Sequence, residues 1–188
     1  MILASDIPRA NTPTGGYGDS SLPPNQREMP PLLLTECDEP LGAGVPDMRG
    51  TWKTVSLEIN GEPAPADHRV MEHIERIEQA GLRVTFTSAG VIHDFYACDG
   101  TYENAMQDVM ALDFTTPAVF SATFDDGVLV FRGEDALAGI TIRRWLEGKQ
   151  RSPTTDIEPQ EETDFTAWHQ DHPTHHTSAR GDINEETA

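Results

Sequence analysis

The chain has 188 residues, with 13 basic and 32 acidic side chains and a formal net charge of -19 at pH 7. Residues 1–47, 48–148 and 149–188 are all acidic, and no basic stripe attracts a phosphate backbone or an anionic membrane, so we expect neither nucleic acid nor a membrane as a partner. No apolar run is long enough to span a bilayer, and residues 1–10 lack the pattern of a secretory signal. A soluble, cytoplasmic protein is predicted.

Residues 1–47 are rich in proline and glycine and show little periodicity. Such a segment cannot bury enough apolar surface to offset its ordering entropy, so by itself it is predicted to be flexible. A leucine cluster, Leu32, Leu33 and Leu34, lies near its end. One interpretation is an ordinary disordered leader. The alternative is a lid whose leucines cover the mouth of a pocket.

The segment 73–97 organises the rest of the chain. Three seven-residue segments, 73–79, 82–88 and 91–97, are separated twice by an Ala-Gly pair, and the last two are rich in β-branched and aromatic residues. This spacing predicts an antiparallel meander with two-residue turns. Apolar spacing within residues 67–79 also permits a helix, but the repeated Ala-Gly pair favours a strand.

Cross-strand pairing decides which side chains of the meander face inward. If each Ala-Gly pair forms a turn, Gln79 lies opposite Leu82. One row across the three strands then consists of Glu75, Phe86 and His93. A carboxylate and an imidazole are therefore predicted to face inward on either side of a phenyl ring, close enough for coupled protonation.

Turn signals and alternating apolar residues divide the rest of the domain into strands. These strands are predicted at 48–58, 101–112, 118–124, 128–132 and 140–146. With the meander they make eight strands. Eight consecutive antiparallel strands joined by short turns close most naturally into a barrel. The predicted fold class is therefore all-β, an eight-stranded antiparallel up-and-down β-barrel over residues 48–148 with long flexible termini.

Beyond this domain, residues 149–188 are polar and acidic, and we expect them to be disordered. The segment carries four histidines, His169, His172, His175 and His176. A flexible histidine tract without fixed geometry is usually only solvated, so no metal site is predicted. The two cysteines, Cys37 and Cys98, supply neither a zinc site nor a disulfide framework.

Inward-facing apolar side chains are expected to line a pocket inside the barrel. They are Ile77, Val84, Phe86, Phe95, Phe120 and Phe124. Glu75, His93 and Gln79 supply polar groups, and Tyr102 adds a hydroxyl if the turn after Asp99 is tight. A plainer interpretation stands beside each assignment. The apolar residues can simply fill the core, Glu75 faces solvent if the register slips by one residue, and His93 can bond a neighbour.

Several features resemble the lipocalin-like, or calycin, barrels. The resemblance rests on Gly50-Thr51-Trp52 on the first strand, the eight meander strands, and Arg143 and Arg144 on the last strand. In that family a Gly-x-Trp motif closes the barrel floor, and an arginine of the final strand packs across the tryptophan. Trp52 matches the tryptophan, and the register decides which arginine matches its partner. The chain departs from the family in being shorter and in lacking the usual C-terminal helix.

Some barrels of this general kind are bacterial polyketide cyclases of the Diels–Alderase type, at least some with an N-terminal lid. The resemblance implies a cofactor-free cyclase that binds an apolar, linear, polyketide-like substrate, with Glu75, His93 and Gln79 as candidate catalytic residues. The alternatives are a carrier or sensor of a small hydrophobic metabolite, and a filled structural barrel. No phosphate loop, nucleophile elbow or His-Glu-x-x-His pattern indicates other chemistry. We expect no cofactor, and a monomer or homodimer.

Overall fold

The structure is a computed structural model that describes residues 1–56, 58–59, 62–63, 65–68, 71, 73–147, 163–170 and 178–185. For residues 55–56, 58–59, 62, 147, 163–170 and 178–185 it describes the backbone alone. The described part of the chain is all-β and contains no α-helix. Its helical elements are three short 3₁₀ turns, Ala4–Asp6, Pro24–Gln26 and Asp135–Leu137.

The strands follow one another along the chain with short connections. They are β1 (Gly50–Ser56), β2 (Glu58–Ile59), β3 (Glu62–Pro63), β4 (Ile74–Ala80), β5 (Arg83–Ser88), β6 (Val91–Phe95), β7 (Met106–Val109), β8 (Pro117–Asp125), β9 (Val128–Gly133), β10 (Ile140–Glu147), β11 (Thr163–Gln170) and β12 (Ser178–Glu185). Two antiparallel four-stranded sheets form the body of the protein. The first has the order β6-β5-β4-β1 and the second the order β10-β9-β8-β7.

A hairpin of β11 and β12 joins the two sheets on one side. The hairpin pairs with β1 and with β10. Hydrogen-bonded strands therefore follow one another in a single order from β6, through the hairpin, to β7. The prediction of consecutive antiparallel strands is confirmed, but the described strands do not close into the predicted barrel. The hairpin separates β1 from β10, and no ladder joins β6 to β7 among the described residues, so the strand order stays open. The two strands of the hairpin also lie within residues 149–188, which were expected to be disordered.

The second turn of the meander is the Ala89-Gly90 pair, as predicted. Ser88 pairs with Val91, and both turn residues have a positive φ, 47° at Ala89 and 82° at Gly90. Two positive φ angles define a type I′ turn, in which asparagine or glycine is favoured over other residues. Ala89, at the first position, therefore adopts a backbone conformation that is unfavourable for alanine.

Replacement of Ala89 by asparagine is expected to raise the free energy of unfolding by about 0.5–1 kcal/mol, because a left-handed conformation costs most L-residues roughly 1–2 kcal/mol and asparagine tolerates it better. Urea unfolding measures the change. Ala97→Asn is the control, since Ala97 is not among the residues with positive φ. An equal gain in both variants would contradict this account of the turn.

The first turn of the meander lies one residue later than predicted. Ala80 pairs with Arg83, so the turn consists of Gly81 and Leu82. Gly81 has a φ of 57°, and a turn with positive φ at its first position alone needs its glycine there. The partner of each β4 residue moves by two positions, so Ile77 pairs with Phe86. A shift of two leaves the inward and outward faces as predicted.

The predicted strand 101–112 is shorter in the structure, because β7 begins only at Met106. The carboxylate of Asp99 accepts hydrogen bonds from the backbone N–H of Thr101 at 2.9 Å and from the side chain of Asn104 at 2.7 Å. Such local bonds compete with strand pairing and hold this segment in a turn. Tyr102 lies in that turn, outside both sheets.

The inward face of the first sheet packs against the second sheet to form the core. Phe86, Phe95 and Phe131 meet there with ring centroids 4.9–5.9 Å apart. Trp52 of β1 is 2% exposed, and its indole N–H donates to the Met48 carbonyl at 2.8 Å. The core therefore lies between the sheets, as the alternating pattern predicts.

The outer face of the first sheet is also covered, because residues 1–47 lie along it. Arg83, 1% exposed, donates to Asp94 at 3.0 and 2.6 Å. The same guanidinium donates to the carbonyls of Ala4 and Ile7, both at 2.7 Å, and of Pro8 at 2.9 Å. A buried ion pair thus binds the backbone of the leader, and all six residues of β5 are buried.

A second group of bonds holds the later part of the leader. The backbone N–H of Leu34 donates to the carboxylate of Glu78 at 2.9 Å, and Arg76 donates to the Pro30 carbonyl at 2.7 Å. Leu34 also packs against Ala4 and Ala80 in a small apolar cluster. Outward-facing charged residues of β4 and β5 therefore serve as attachment points for a segment that has little secondary structure of its own.

Candidate functional site

A cavity of about 210 Å³ lies between the two sheets. Most of its wall is apolar, with Phe86, Phe95, Met106, Phe120, Phe131 and Ile142 among the lining residues. Three polar side chains also line it, Glu75, His93 and Arg144. A cavity of roughly 150 Å³ accommodates benzene. This cavity therefore has room for a compact molecule somewhat larger than benzene.

Glu75 and Arg144 form an ion pair across the cavity, from β4 of one sheet to β10 of the other. The guanidinium donates two bonds to the carboxylate, one from Nη1 to Oε1 and one from Nη2 to Oε2, the second at 3.3 Å. The Glu75 side chain is 6% exposed and the Arg144 side chain 23%. Because desolvation offsets much of the attraction in such a pair, we expect its net contribution to stability to be small.

The guanidinium of Arg144 also lies over two aromatic rings of the cavity wall. It is 4.6 Å from the ring centroid of Phe86 and 5.6 Å from that of Phe131. The inward face of β10 therefore carries Arg144, and strand alternation places Arg143 on the other face. The sequence did not decide which of the two arginines faces inward. In the structure it is Arg144, and its guanidinium contacts phenylalanine rings.

Two histidines lie near the ion pair. The Nε2 atom of His93 is 3.0 Å from the Val109 carbonyl, and because a carbonyl only accepts, Nε2 carries the hydrogen. Burial lowers the pKa of His73, while Glu75 opposes this effect and Arg144 adds to it. His73 is therefore neutral at pH 7 and adds no positive charge beside the pair.

Five of the predicted pocket residues do line the cavity. They are Glu75, Phe86, His93, Phe95 and Phe120. Phe86 and His93 pair directly, as predicted, whereas Ile77 rather than Glu75 lies opposite Phe86. Glu75 is displaced along the same face and still reaches the cavity. The predicted row is thus wrong in register, although its three members lie in one site.

The other predicted apolar residues belong to the core around the cavity. Ile77 and Val84 are buried there, and Phe124 packs against the same cluster from a half-buried position. None of the three is among the lining residues of the cavity. The plainer interpretation of these side chains, as core rather than ligand contacts, fits their positions.

Gln79 is placed as a structural residue rather than a catalytic one. Its side-chain oxygen accepts a bond from the Met48 N–H at 2.6 Å, and its amide donates to the Pro46 carbonyl at 3.2 Å. Both ends of the amide are therefore used to hold the chain where the leader enters β1. Tyr102 is also remote from the cavity: it is 48% exposed and donates to Asp135 at 2.8 Å.

The leucine cluster of the leader lies on the outer side of the first sheet. Leu34 is buried, Leu33 is half-buried and Leu32 is 52% exposed. No leader residue is among those that line the cavity. For these leucines to act as the predicted lid, this part of the leader would have to leave its binding site on the sheet.

Several residues that line the cavity were not predicted from the sequence, namely Met106, Met110, Ala111, Ala118, Phe131 and Ile142. Ile142 and Arg144 alternate on one face of the last strand, and that alternation was a usable signal. Met110 and Ala111 lie just beyond β7, where no periodicity marks them. Their positions follow from the packing of the sheets.

Other reactive groups lie apart from this site. Cys98 is 4% exposed, and burial raises the pKa of its thiol, so it is no thiolate nucleophile at neutral pH. Across the described residues, no group of three histidine, cysteine, aspartate or glutamate side chains is placed to hold a metal ion. The histidines of residues 149–188 lie outside the described side chains. No described helix is long and apolar enough to cross a membrane.

The fold and the site together define an all-β protein of two antiparallel sheets with a small apolar cavity that contains a carboxylate–guanidinium pair. No family model, curated protein or solved structure matches the chain. The resemblance to lipocalin-like barrels therefore remains a hypothesis based on the residues alone.

Proposed function

We propose that the protein binds a compact, mostly apolar small molecule in the cavity between its two sheets. The observation that carries the proposal is the joint presence of apolar walls and an ion pair, with its carboxylate buried, in one cavity of about 210 Å³. Binding sites for small molecules typically combine apolar walls with a few convergent polar groups. A carrier or sensor needs no more than this.

The chemistry of the wall defines the ligand class. Glu75 and Arg144 neutralise each other, so a charged ligand would have to separate them, and a neutral molecule is favoured. The Nε2–H of His93 already bonds the Val109 carbonyl, so its Nδ1 atom can accept a hydrogen bond from a hydroxyl group of the ligand. The ligand class is therefore a neutral, compact ring system with one oxygen-containing group. An extended polyketide chain would fit the cavity only in part.

A second candidate function is cofactor-free cyclisation of such a molecule. The ion pair inside the apolar cavity favours it, because fixed charges in a dry site can stabilise charge that develops in a transition state. Holding two reacting ends together can lower a barrier by up to roughly 7–11 kcal/mol. Product formation from a compact triene, compared with heat-denatured protein, tests this candidate separately from binding.

Filling the cavity should weaken binding. Ala118 lines the cavity and is 3% exposed, so Ala118→Leu puts three extra carbons into it. We expect titration calorimetry with neutral probes such as indole and 2-naphthol to show binding to the wild type. The variant should bind at least about tenfold more weakly, equivalent to about 1.4 kcal/mol.

The neighbouring Val119→Leu is the matched control, because Val119 lies on the opposite face of the same strand. It should bind the probes like the wild type. Failure of every compact probe to bind the wild type, or equal binding by the two variants, would contradict the proposal.

A further inference from the structure

The contact between β6 and β7 is a seam between the two sheets. β6 and β7 are the first and last strands in the order of the sheets. In the described part of the chain, no backbone hydrogen-bond ladder pairs them with each other. At one end of the seam the backbone N–H of Tyr96 donates to the Asn104 carbonyl at 3.1 Å. Further along, the ring of His93 bonds the Val109 carbonyl at 3.0 Å. This edge of the cavity thus lacks the continuous backbone bonding found between neighbouring strands of either sheet.

The leader bridges this seam from outside. The backbone N–H of Thr12 donates to the carboxylate of Asp108 in β7 at 2.8 Å, and its hydroxyl accepts from the Ile92 N–H of β6 at 2.9 Å. Two residues earlier, the N–H of Ala10 donates to Asp94 of β6 at 2.9 Å. Thr12 therefore links the two strands that the ladder leaves unpaired.

A second, polar cavity of about 160 Å³ lies on the outer side of the seam. The leader contributes Arg9, Ala10 and Asn11 to its wall, and β6 and β7 contribute Asp94 and Asp108 among others. Met106 lines this outer cavity and also the apolar cavity between the sheets. One residue, with an unbranched and flexible side chain, is therefore common to both walls.

We propose that the ligand reaches the inner cavity through the β6–β7 seam, with Met106 as the gating side chain and residues 9–12 as the strap that closes it. The inference rests on the proposed function, since it concerns access to the same cavity. Opening needs only the rotation of Met106 and the loss of a few hydrogen bonds, each with a net contribution of about 1 kcal/mol. Opening between neighbouring strands within either sheet would instead break a backbone ladder.

Met106 then determines the rate at which ligands exchange and the size of ligand admitted, in addition to its contact with the bound molecule. Met110 provides a matched comparison, because it lines the inner cavity but not the outer one. Truncating either methionine removes similar atoms from the wall of the inner cavity. Only the change at position 106 should widen the route.

Stopped-flow measurements with 2-naphthol on the full-length protein test the inference. Met106→Ala should raise the association and dissociation rate constants together by about fivefold or more, as expected for a gating side chain. Met110→Ala should change the affinity through dissociation and leave association within about twofold of the wild type. Thr12→Val, which removes the hydroxyl that bonds Ile92, should also accelerate both steps without altering the inner wall.

Wild-type association rates in both Met106→Ala and Thr12→Val would overturn the seam route while leaving the proposed function intact. If Met106→Ala does not fold, Thr12→Val decides alone, because it changes only the strap. Absence of binding to the wild-type protein in the equilibrium titration would instead overturn the proposed function, and the seam route with it.

Discussion

Arg83→Met is expected to lower the free energy of unfolding by about 3–5 kcal/mol, because it leaves the buried carboxylate of Asp94 without its ionic partner. The Arg83 and Asp94 side chains are 0% and 1% exposed, so water cannot replace the lost bonds without local unfolding. The three leader carbonyls that Arg83 bonds also lose their donor. A loss of this size is a large part of the total stability of an ordinary domain, about 5–15 kcal/mol.

Urea unfolding monitored by tryptophan fluorescence measures the loss. Trypsin provides a second reading, since the leader contains Arg9 and Arg27 and should be cleaved faster once it is released. Arg132→Met is the control: Arg132 and its partner Asp125 are 48% and 53% exposed. An exposed pair of this kind contributes at most about 1 kcal/mol. Equal, small effects in the two variants would show that the leader is not held by the buried pair.

Arg144→Met should also lower the free energy of unfolding strongly, by about 3 kcal/mol. The reason is that the Glu75 carboxylate stays in the apolar cavity without its ionic partner. The double variant Glu75→Leu/Arg144→Met should recover to within about 1 kcal/mol of the wild type, since apolar side chains replace the whole pair. Chemical unfolding of the two single variants and the double variant gives the coupling energy directly.

The same variants also test the effect of the ion pair on ligand binding, independently of its effect on stability. The double variant should bind naphthalene as well as it binds 2-naphthol, because the polar end of the cavity is gone, whereas the wild type should prefer 2-naphthol. Arg143→Met, on the outer face of β10, is the control for loss of charge and should change neither quantity appreciably. A double variant that is as unstable as Arg144→Met, or that keeps the preference for 2-naphthol, would contradict the role given to the pair.

Local sequence was sufficient to predict the meander and its two faces. The Ala89-Gly90 turn follows from a pattern that spans two strands, and the inward positions of Phe86 and His93 follow from alternation. The first turn was misplaced because Ala80-Gly81 and Gly81-Leu82 are both possible two-residue turns for the same pattern. Since the two registers differ by two residues, the error moved Glu75 along its face without turning it outward.

The docking of the leader could not be predicted in this way. Arg83 and Asp94 occupy outward positions, where charged residues normally meet solvent, and their leader partners are more than 70 residues away in sequence. Closure of the barrel was likewise inferred from strand order alone. The hairpin that separates β1 from β10 comes from residues 163–185, whose polar composition predicts no strand.

Side-chain bonding to the backbone explains the errors at individual site residues. Gln79 was predicted to face the pocket, and it does face inward, but the backbone groups of Pro46 and Met48 occupy its amide. Tyr102 was assigned to a strand that the Asp99 turn replaces. In both cases a polar side chain bonds a backbone group, and the alternation of apolar residues cannot reveal such bonds.

The most direct test of the central claim, that the cavity between the sheets binds a compact apolar molecule, is a titration of methyl-labelled methionine followed by NMR. Met106 and Met110 line the cavity, whereas Met48 is buried in the core outside it. Saturation with 2-naphthol should shift the first two signals and leave that of Met48 in place. Shifts in none of the three, or an equal shift at Met48, would contradict binding in this cavity.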